Sequence, residues 1–394
     1  MPDIDTILYS IAAFICALFV LEYGADKFID HTAIIAKRTG IPQALIALLT
    51  AGAEWEELAV VIFCVVRGRP SLALGNVVGS AISNILGAFS LGLMFYRSHD
   101  EGTIFDKSAV RYTIAQMVVV LLAAVLLYFR GYLQLRVLGG VLVAAFIVYV
   151  GTIFWAITRG SLAAPEGSDS ESDSERDSDG GSVGEEEYVD RPILGSRSYG
   201  TTNARDPRTI AGDDITSQHS SPLDCGNVQP RQSSTTRHGL LYHLSCLVLG
   251  FLALTISAYV LSHAATTLTD SLGISDAAFG IVVLSLATTL PEKLVATVSG
   301  IRGHAGIMVA NTVGSNIFLL TLCLGVIWLS EDDTNSSHGS GSITGLELGI
   351  MVASAATMSL AVLLRRSLLR YLGCGMLIAY GGFITVELVF KGRS

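Results

Sequence analysis

A carboxylate inside an apolar run constrains this chain most, and it occurs twice in the same setting. One copy spans Leu284 to Leu319 and carries Glu292 directly after Pro291. The other begins at Glu57 and runs past Ser80. Without a gap, Glu57 falls on Glu292, Arg67-Gly68 on Arg302-Gly303, Asn76 on Asn311 and Gly79-Ser80 on Gly314-Ser315, each pair offset by 235 positions. A doubled apolar unit with one buried acid per copy implies a transporter built from internal repeats.

The surroundings of the two acids are those of a membrane protein. Hydrophobic residues make up 51% of the 394 positions and charged ones 15%, too few for the surface of a soluble domain. Apolar runs near 20 residues long read instead as spanning helices. The net charge of −9 comes from one place, because Glu166 to Asp190 holds eleven acids and one arginine. The remainder is nearly neutral, with no basic patch for nucleic acid. Six cysteines, at 16, 64, 225, 246, 323 and 374, follow no metal-ligand or disulfide spacing and read as packing residues. The N-terminus lacks a basic n-region and a small-residue cleavage site, so the first apolar run reads as a retained span.

The fold expected is an all-α membrane protein of about ten transmembrane helices in two inverted five-helix repeats. Residues 1–158 form the first repeat, 159–238 a disordered acidic cytosolic loop, and 239–394 the second. The first-half spans cover about Ile7–Tyr23, Ile41–Val66, the stretch after Pro70, Tyr112–Phe129 and Val137–Ile157. Those of the second half cover about Leu240–Leu261, Phe279–Val298, Ile307–Leu329, Leu346–Leu364 and Leu372–Phe390. An odd number per half makes the second enter the membrane upside down. With the N-terminus outside, Lys37, Arg38, Arg97, Lys107, Arg111, Arg302, Arg365, Arg366 and Arg370 lie inside. Only Arg67, Arg69, Arg130 and Arg136 then lie in outside loops, as the positive-inside bias requires. The sequon at Asn335 falls outside. The SDSESDSERDSD tract inside suits a kinase that recognises acidic serine sites.

A carboxylate at mid-bilayer costs roughly 2.5–3.5 kcal/mol on insertion scales. No basic residue stands at the same depth except Lys293, which adjoins Glu292, points about 100° away on a helix and is expected to snorkel outward. The partners implied are inorganic cations from solution. Inverted symmetry brings Glu57 and Glu292 face to face, where they share protons when empty and release them to a metal ion. Calcium takes six to eight hard oxygens. Two glutamates supply up to four, and Ser80, Ser315, Asn84, Thr288, Thr289 and freed backbone carbonyls are candidates for the others. Pro291 breaks the second acid-bearing helix, and Gly52 is the candidate break in the first. Glu54 shares a face with Glu57, whereas Glu56 points elsewhere.

TLPEKLVATVSG followed by NTVGSNIF resembles the second α-repeat of the sodium/calcium exchanger family, within the calcium/cation antiporter superfamily. GAEWEELAVV followed by GNVVGSAISN resembles the first, and EYGADKFIDH…AKRTGIP is similar to the segment leading into it. The resemblance covers both membrane halves and omits the central loop. It implies alternating access, cytosolic Ca²⁺ exchanged for Na⁺ or H⁺, and no resident cofactor. Family ligand positions map onto Glu57, Ser80 and Asn84, and onto Ser285, Thr288, Thr289, Glu292 and Ser315. Two departures stand out. Ala53 and Glu54 replace a Thr–Ser pair, and Leu319 stands where many members carry Asp.

Leu319 motivates an alternative, a monovalent cation/proton antiporter on the same scaffold. A membrane-anchored scaffold with a partner-recruiting loop leaves the matched acids unexplained. An enzyme is not expected, since neither H-E-x-x-H nor G-x-S-x-G occurs and His243 and His263 lack paired ligands. A cytosolic loop fits an integral protein of the plasma membrane or of a vacuole-like organelle.

Overall fold

The structure, a computed structural model, describes residues 4–38, 54–97, 105, 107–158, 240–331, 343–364 and 366–391. Among the described residues no strand occurs, and nearly all of them are helical. The first half contains α1 (Ile4–Arg38), α2 (Trp55–Val66), α3 (Pro70–Phe95), α4 (Lys107–Tyr128) and α5 (Leu135–Thr158). The second contains α6 (Leu240–Leu272), the bent pair α7 (Asp276–Thr288) and α8 (Leu290–Arg302), α9 (Ala305–Ser330), α10 (Gly345–Leu363) and α11 (Arg366–Val386). Eight of these helices are long and apolar enough to cross a membrane, and α7–α8 makes a ninth if the bent pair counts as one span. The remaining expected span includes α2, but residues 39–53 before it lie outside the described residues, as do Gly52, the acidic loop and the Asn335 sequon.

Local chemistry sets several of the boundaries. Pro70 opens α3 at its first turn, where a missing N–H costs nothing. Thr344 and Glu347 form a reciprocal capping box that starts α10. Gly68 after α2 and Gly303 after α8 adopt φ of 72° and 78°. These are matched positions of the duplicated unit, and each turns the chain out of an acid-bearing helix through a left-handed conformation that glycine adopts without strain.

Packing partners follow the repeat. α1 lies along α6 and α4 along α10. The contact of α5 with α9 has its counterpart in that of α11 with α3. Exchanging the halves maps each pairing onto itself or its twin. The windows of α3 and α9 are 89% and 78% buried, against 22% and 28% for α1 and α6, so α3 and α9 form the centre. The outer helices present Phe19, Val148, Trp155, Leu249 and Ile256 outward, as lipid-facing surfaces do.

Two helices run longer than their apolar runs suggest. α1 continues through Glu22, Asp26 and Asp30 to Arg38, where the pattern predicts a linker, and α6 extends to Leu272. At 1.5 Å per residue each is about 50 Å long, against a hydrocarbon core of about 30 Å, so each tilts or runs on past it. Glycines let them touch backbone to backbone. A Cβ on Gly24 would stand 2.6 Å from Leu254 N, and one on Gly250 2.8 Å from Phe28 N. His243 is not without a paired ligand group: its Nδ1 lies 3.1 Å from His31 Nδ1 across the same interface. Elsewhere Arg69 joins the halves through ion pairs to Asp270 at 2.7 Å and Asp276 at 3.2 Å.

Candidate cation site

Glu57 and Glu292 occupy the same place on their helices. Each is the third residue, Glu57 after Trp55-Glu56 in α2 and Glu292 after Leu290-Pro291 in α8. The first turn presents unpaired N–H groups and the positive end of the peptide dipoles, which favours a carboxylate. Two helix N-termini, one from each half, thus each carry a carboxylate in the first turn. The break expected at Pro291 occurs: Thr289 leaves the helical conformation at φ −90° and ψ 16°, and α7 and α8 meet at 48°.

The Glu57 side chain is 1% exposed and saturated with donors. Its Oε1 accepts from Ser80 Oγ at 2.8 Å and from Thr288 Oγ1 at 2.6 Å, and its Oε2 accepts from the Asn76 amide. Thr288 belongs to the other half, so the first repeat's acid is held partly by the second repeat. Close packing makes this reach possible. A Cβ on Gly79 would lie 2.5 Å from Ile281 O and 2.7 Å from Ser285 Oγ, so only glycine lets α3 lie against α7 there.

Glu54 is also buried, and its Oε1 accepts from Asn84 Nδ2 at 3.3 Å. Ser315 faces the same carboxyl. Asn84 Nδ2 lies 3.4 Å from Asn316 Oδ1, and Asn316 Nδ2 donates to Ala81 O at 3.3 Å, a second link between the halves. Glu292 is 8% exposed. Glu54 and then Glu57 are its foremost charged neighbours. Glu56 is buried too, and Glu292 is its foremost charged neighbour, ahead of Glu22 and Glu57.

Around these acids and their amides four buried oxygens find no donor among the described residues: Glu54 Oε2, Glu292 Oε2, Asn76 Oδ1 and Asn84 Oδ1. All are hard acceptors, the class that Ca²⁺, Na⁺ and H⁺ seek. Among the described residues no three His, Cys, Asp or Glu side chains converge in metal-holding geometry. Ser285 uses its hydroxyl on Ile281 O, one turn back in its own helix. Thr289 Oγ1 bonds Ser285 O at 2.6 Å and Ser83 Oγ at 2.8 Å. Of the residues singled out by sequence, Glu57, Ser80 and Thr288 form one cluster and Glu54, Asn84 and Ser315 another, with Glu292 beside both.

Three contributors were not singled out. Asn76 was visible only as a member of the repeated pattern. Ser83 lies inside the GNVVGSAISN motif without having been given a role, Tyr380 carries no motif, and Tyr380 OH donates to Ser83 Oγ at 2.8 Å. The expectation for Lys293 is corrected. It does not snorkel but turns inward, its Nζ donating to Ser83 Oγ at 2.9 Å and Thr289 O at 3.1 Å. Thr289 O stands at the break and is shared, accepting from Lys293 N at 3.4 Å as well as from the ammonium. Residues 83–89 of α3 and 319–323 of α9 are π-helical, at matching places in the two halves. Such widened turns redirect side chains and recur at functional sites.

A family model described as sodium/calcium exchanger protein matches residues 9–155 and 242–389. The putative antiporter CaxA of Alkalimonas amylolytica is 24% identical over 378 residues, covering 93% of this chain and 94% of that protein. Human sodium/potassium/calcium exchanger 3 is 27% identical over 137 residues, 34% of this chain and 21% of that one. Among solved structures, the sodium-calcium exchanger NCX_Mj soaked with 10 mM Na⁺ and zero Ca²⁺ aligns with TM-score 0.51 at 18% identity, covering 96% of this chain and 99% of that chain. Native YfkE aligns with TM-score 0.59 at 13% identity, covering 98% and 93%. At these identities the structures bear on the fold alone.

Proposed function

Because this chain belongs to the sodium/calcium exchanger protein family, we propose that it exchanges Ca²⁺ for Na⁺ or H⁺ by alternating access. It is a multi-span membrane antiporter of inorganic cations. The ion moved and the residues that hold it are the proposal. Glu57 and Glu292 are the central ligands, with Glu54, Ser80, Asn84, Thr288, Thr289 and Ser315 around them.

One observation supports this reading: buried carboxylate and amide oxygens without a donor lie around Glu57, a carboxylate that side chains of both halves hydrogen-bond. A buried acceptor left unpaired costs about 1–3 kcal/mol, more when charged. A divalent cation offsets that cost for several oxygens at once. The roles divide accordingly. Glu54 and Glu292 offer the bare oxygens, Asn76 and Ser80 orient Glu57, and Thr288 ties that carboxylate to the end of α7, just before the break that precedes Glu292.

The test is full-length protein in sealed vesicles, with Ca²⁺ flux measured under an imposed Na⁺ gradient and then an imposed pH gradient. Uptake under one of them is expected, and its loss in both Glu57→Gln and Glu292→Gln. Flux under neither gradient, or normal uptake by both variants, rejects the proposal.

Leu319 favours a second reading, a monovalent cation/proton antiporter. It is fully buried where it matches Asn84 in the first half, so the second half offers no polar ligand at that place. Na⁺ or K⁺ transport indifferent to Ca²⁺ would select it. Under either reading the acidic segment acts as a tether and kinase substrate, and deleting residues 165–235 leaves transport intact.

A further inference from the structure

Lys293 is the one basic side chain beside the acids, and its setting is not that of an ion-pair partner. Its Nζ donates to Ser83 Oγ at 2.9 Å, to Thr289 O at 3.1 Å and to Thr289 Oγ1. An ammonium has three donors and no acceptor, so all three are engaged. Every partner is a neutral oxygen. Arg69, by contrast, pairs directly with Asp270 and Asp276. The charges facing Lys293 at longer range are Glu292, Glu57 and Glu54.

The pocket is built to receive this side chain. Gly87 stands where its stem passes. A Cβ there would lie 3.1 Å from Lys293 Cε, 3.5 Å from Tyr380 Cε1 and 3.6 Å from Ser83 Oγ. Tyr380 on α11 braces Ser83 by a 2.8 Å hydrogen bond. Hydroxyl oxygens and the carbonyl of a broken helix, close to carboxylates, make up the surroundings in which membrane transporters hold a monovalent metal ion. The repeat shows what changed. Lys293 matches Leu58 and Thr289 matches Glu54, so the first half has an acid where the second has this neutral cradle and its ammonium.

We propose that Lys293 is a tethered cation: its ammonium occupies a monovalent-cation position in the transport pathway and supplies one charge that a dissolved Na⁺ would otherwise bring. The inference rests on the antiport reading and deepens it. The chain then couples one monovalent ion fewer to each Ca²⁺ than the same scaffold would without the lysine.

The test compares wild type, Lys293→Met and Lys293→Arg, each full length in vesicles with the membrane potential clamped at zero. One added Na⁺ per cycle multiplies the Ca²⁺ gradient sustained by a tenfold Na⁺ gradient about tenfold, or ~1.4 kcal/mol. Lys293→Met is expected to show that gain, and a wild type driven by H⁺ alone is expected to acquire Na⁺ drive in this variant. Lys293→Arg, which keeps the charge, is expected to hold the wild-type ratio. Equal gradients in wild type and Lys293→Met overturn the inference, because a merely structural lysine alters rate or stability and not the ratio. If Lys293→Met does not transport, Na⁺ competition against ⁴⁵Ca²⁺ binding to the purified protein decides. A competition slope steeper by one Na⁺ supports the inference, and an unchanged slope or abolished Ca²⁺ binding overturns it. A wild type that sustains no Ca²⁺ gradient under Na⁺ or pH strikes the antiport reading instead.

Discussion

Glu57 and Glu292 stand at the same position of duplicated helices, yet their surroundings differ. Glu57 accepts from Asn76, Ser80 and Thr288, whereas Glu292 keeps Oε2 without a donor. The matched amides differ in the same direction. Asn76 donates to its acid, but Asn311, its counterpart, has no partner at Nδ2. Duplication preserved where each carboxylate enters the membrane and not how its burial is offset. Around Glu57 protein donors do this, whereas Glu292 Oε2 has none. Charge diverged as well, since Glu54 in one half corresponds to Thr289, the residue that cradles Lys293, in the other.

The largest effects come from the acids themselves. Glu57→Gln and Glu292→Gln are each expected to lower Ca²⁺ flux by about 100-fold, equivalent to ~2.7 kcal/mol. Thermal melts should separate them. The Glu57 variant turns an amide N–H toward existing donors and loses about 1–3 kcal/mol of stability, whereas the Glu292 variant melts near wild type. Equal melts would remove the distinction drawn above. Next, Glu54→Gln should cut flux about tenfold, ~1.4 kcal/mol, and adding Leu319→Asp should restore part of it by returning a carboxylate to the other half. No recovery would place Glu54 outside the cation's shell.

A smaller contrast tests the amides. Asn76→Ala removes a hydrogen bond to a buried carboxylate, worth about 1.5–3 kcal/mol, and weakens Ca²⁺ binding about tenfold. Asn311→Ala is expected to shift it less than twofold, because its Nδ2 serves nothing. Calorimetric titration of the two variants measures the difference. The smallest effects should be alike in both halves: Gly68→Ala and Gly303→Ala each strain a left-handed turn by about 1–2 kcal/mol, lowering the melting temperature with transport retained.

The duplicated unit made much of this legible in advance. The offset of 235 positions identified the acids and paired Gly68 with Gly303, because repeated backbone geometry demands repeated residues. Pro291 announced the break at Thr289, since a missing N–H and a ring clash act locally. Tertiary contact hid the rest. Lys293 reads as a snorkelling residue from its own helix, and only the space over Gly87 and the oxygens of Ser83 and Thr289 turn it inward. The lengths of α1 and α6 were obscured because Glu22, Asp26 and Asp30 end the apolar run without ending the helix. The pairing of His31 with His243 joins residues 212 apart, beyond the reach of any local pattern.

The most direct test of a shared site is a structure of the full chain soaked with Sr²⁺, located by anomalous scattering. A single peak bound by carboxyl oxygens of both Glu57 and Glu292 is expected, at roughly the 2.3–2.6 Å typical of Ca²⁺, slightly longer for the larger ion. Separate peaks on each glutamate, or one peak touching a single half, would contradict it.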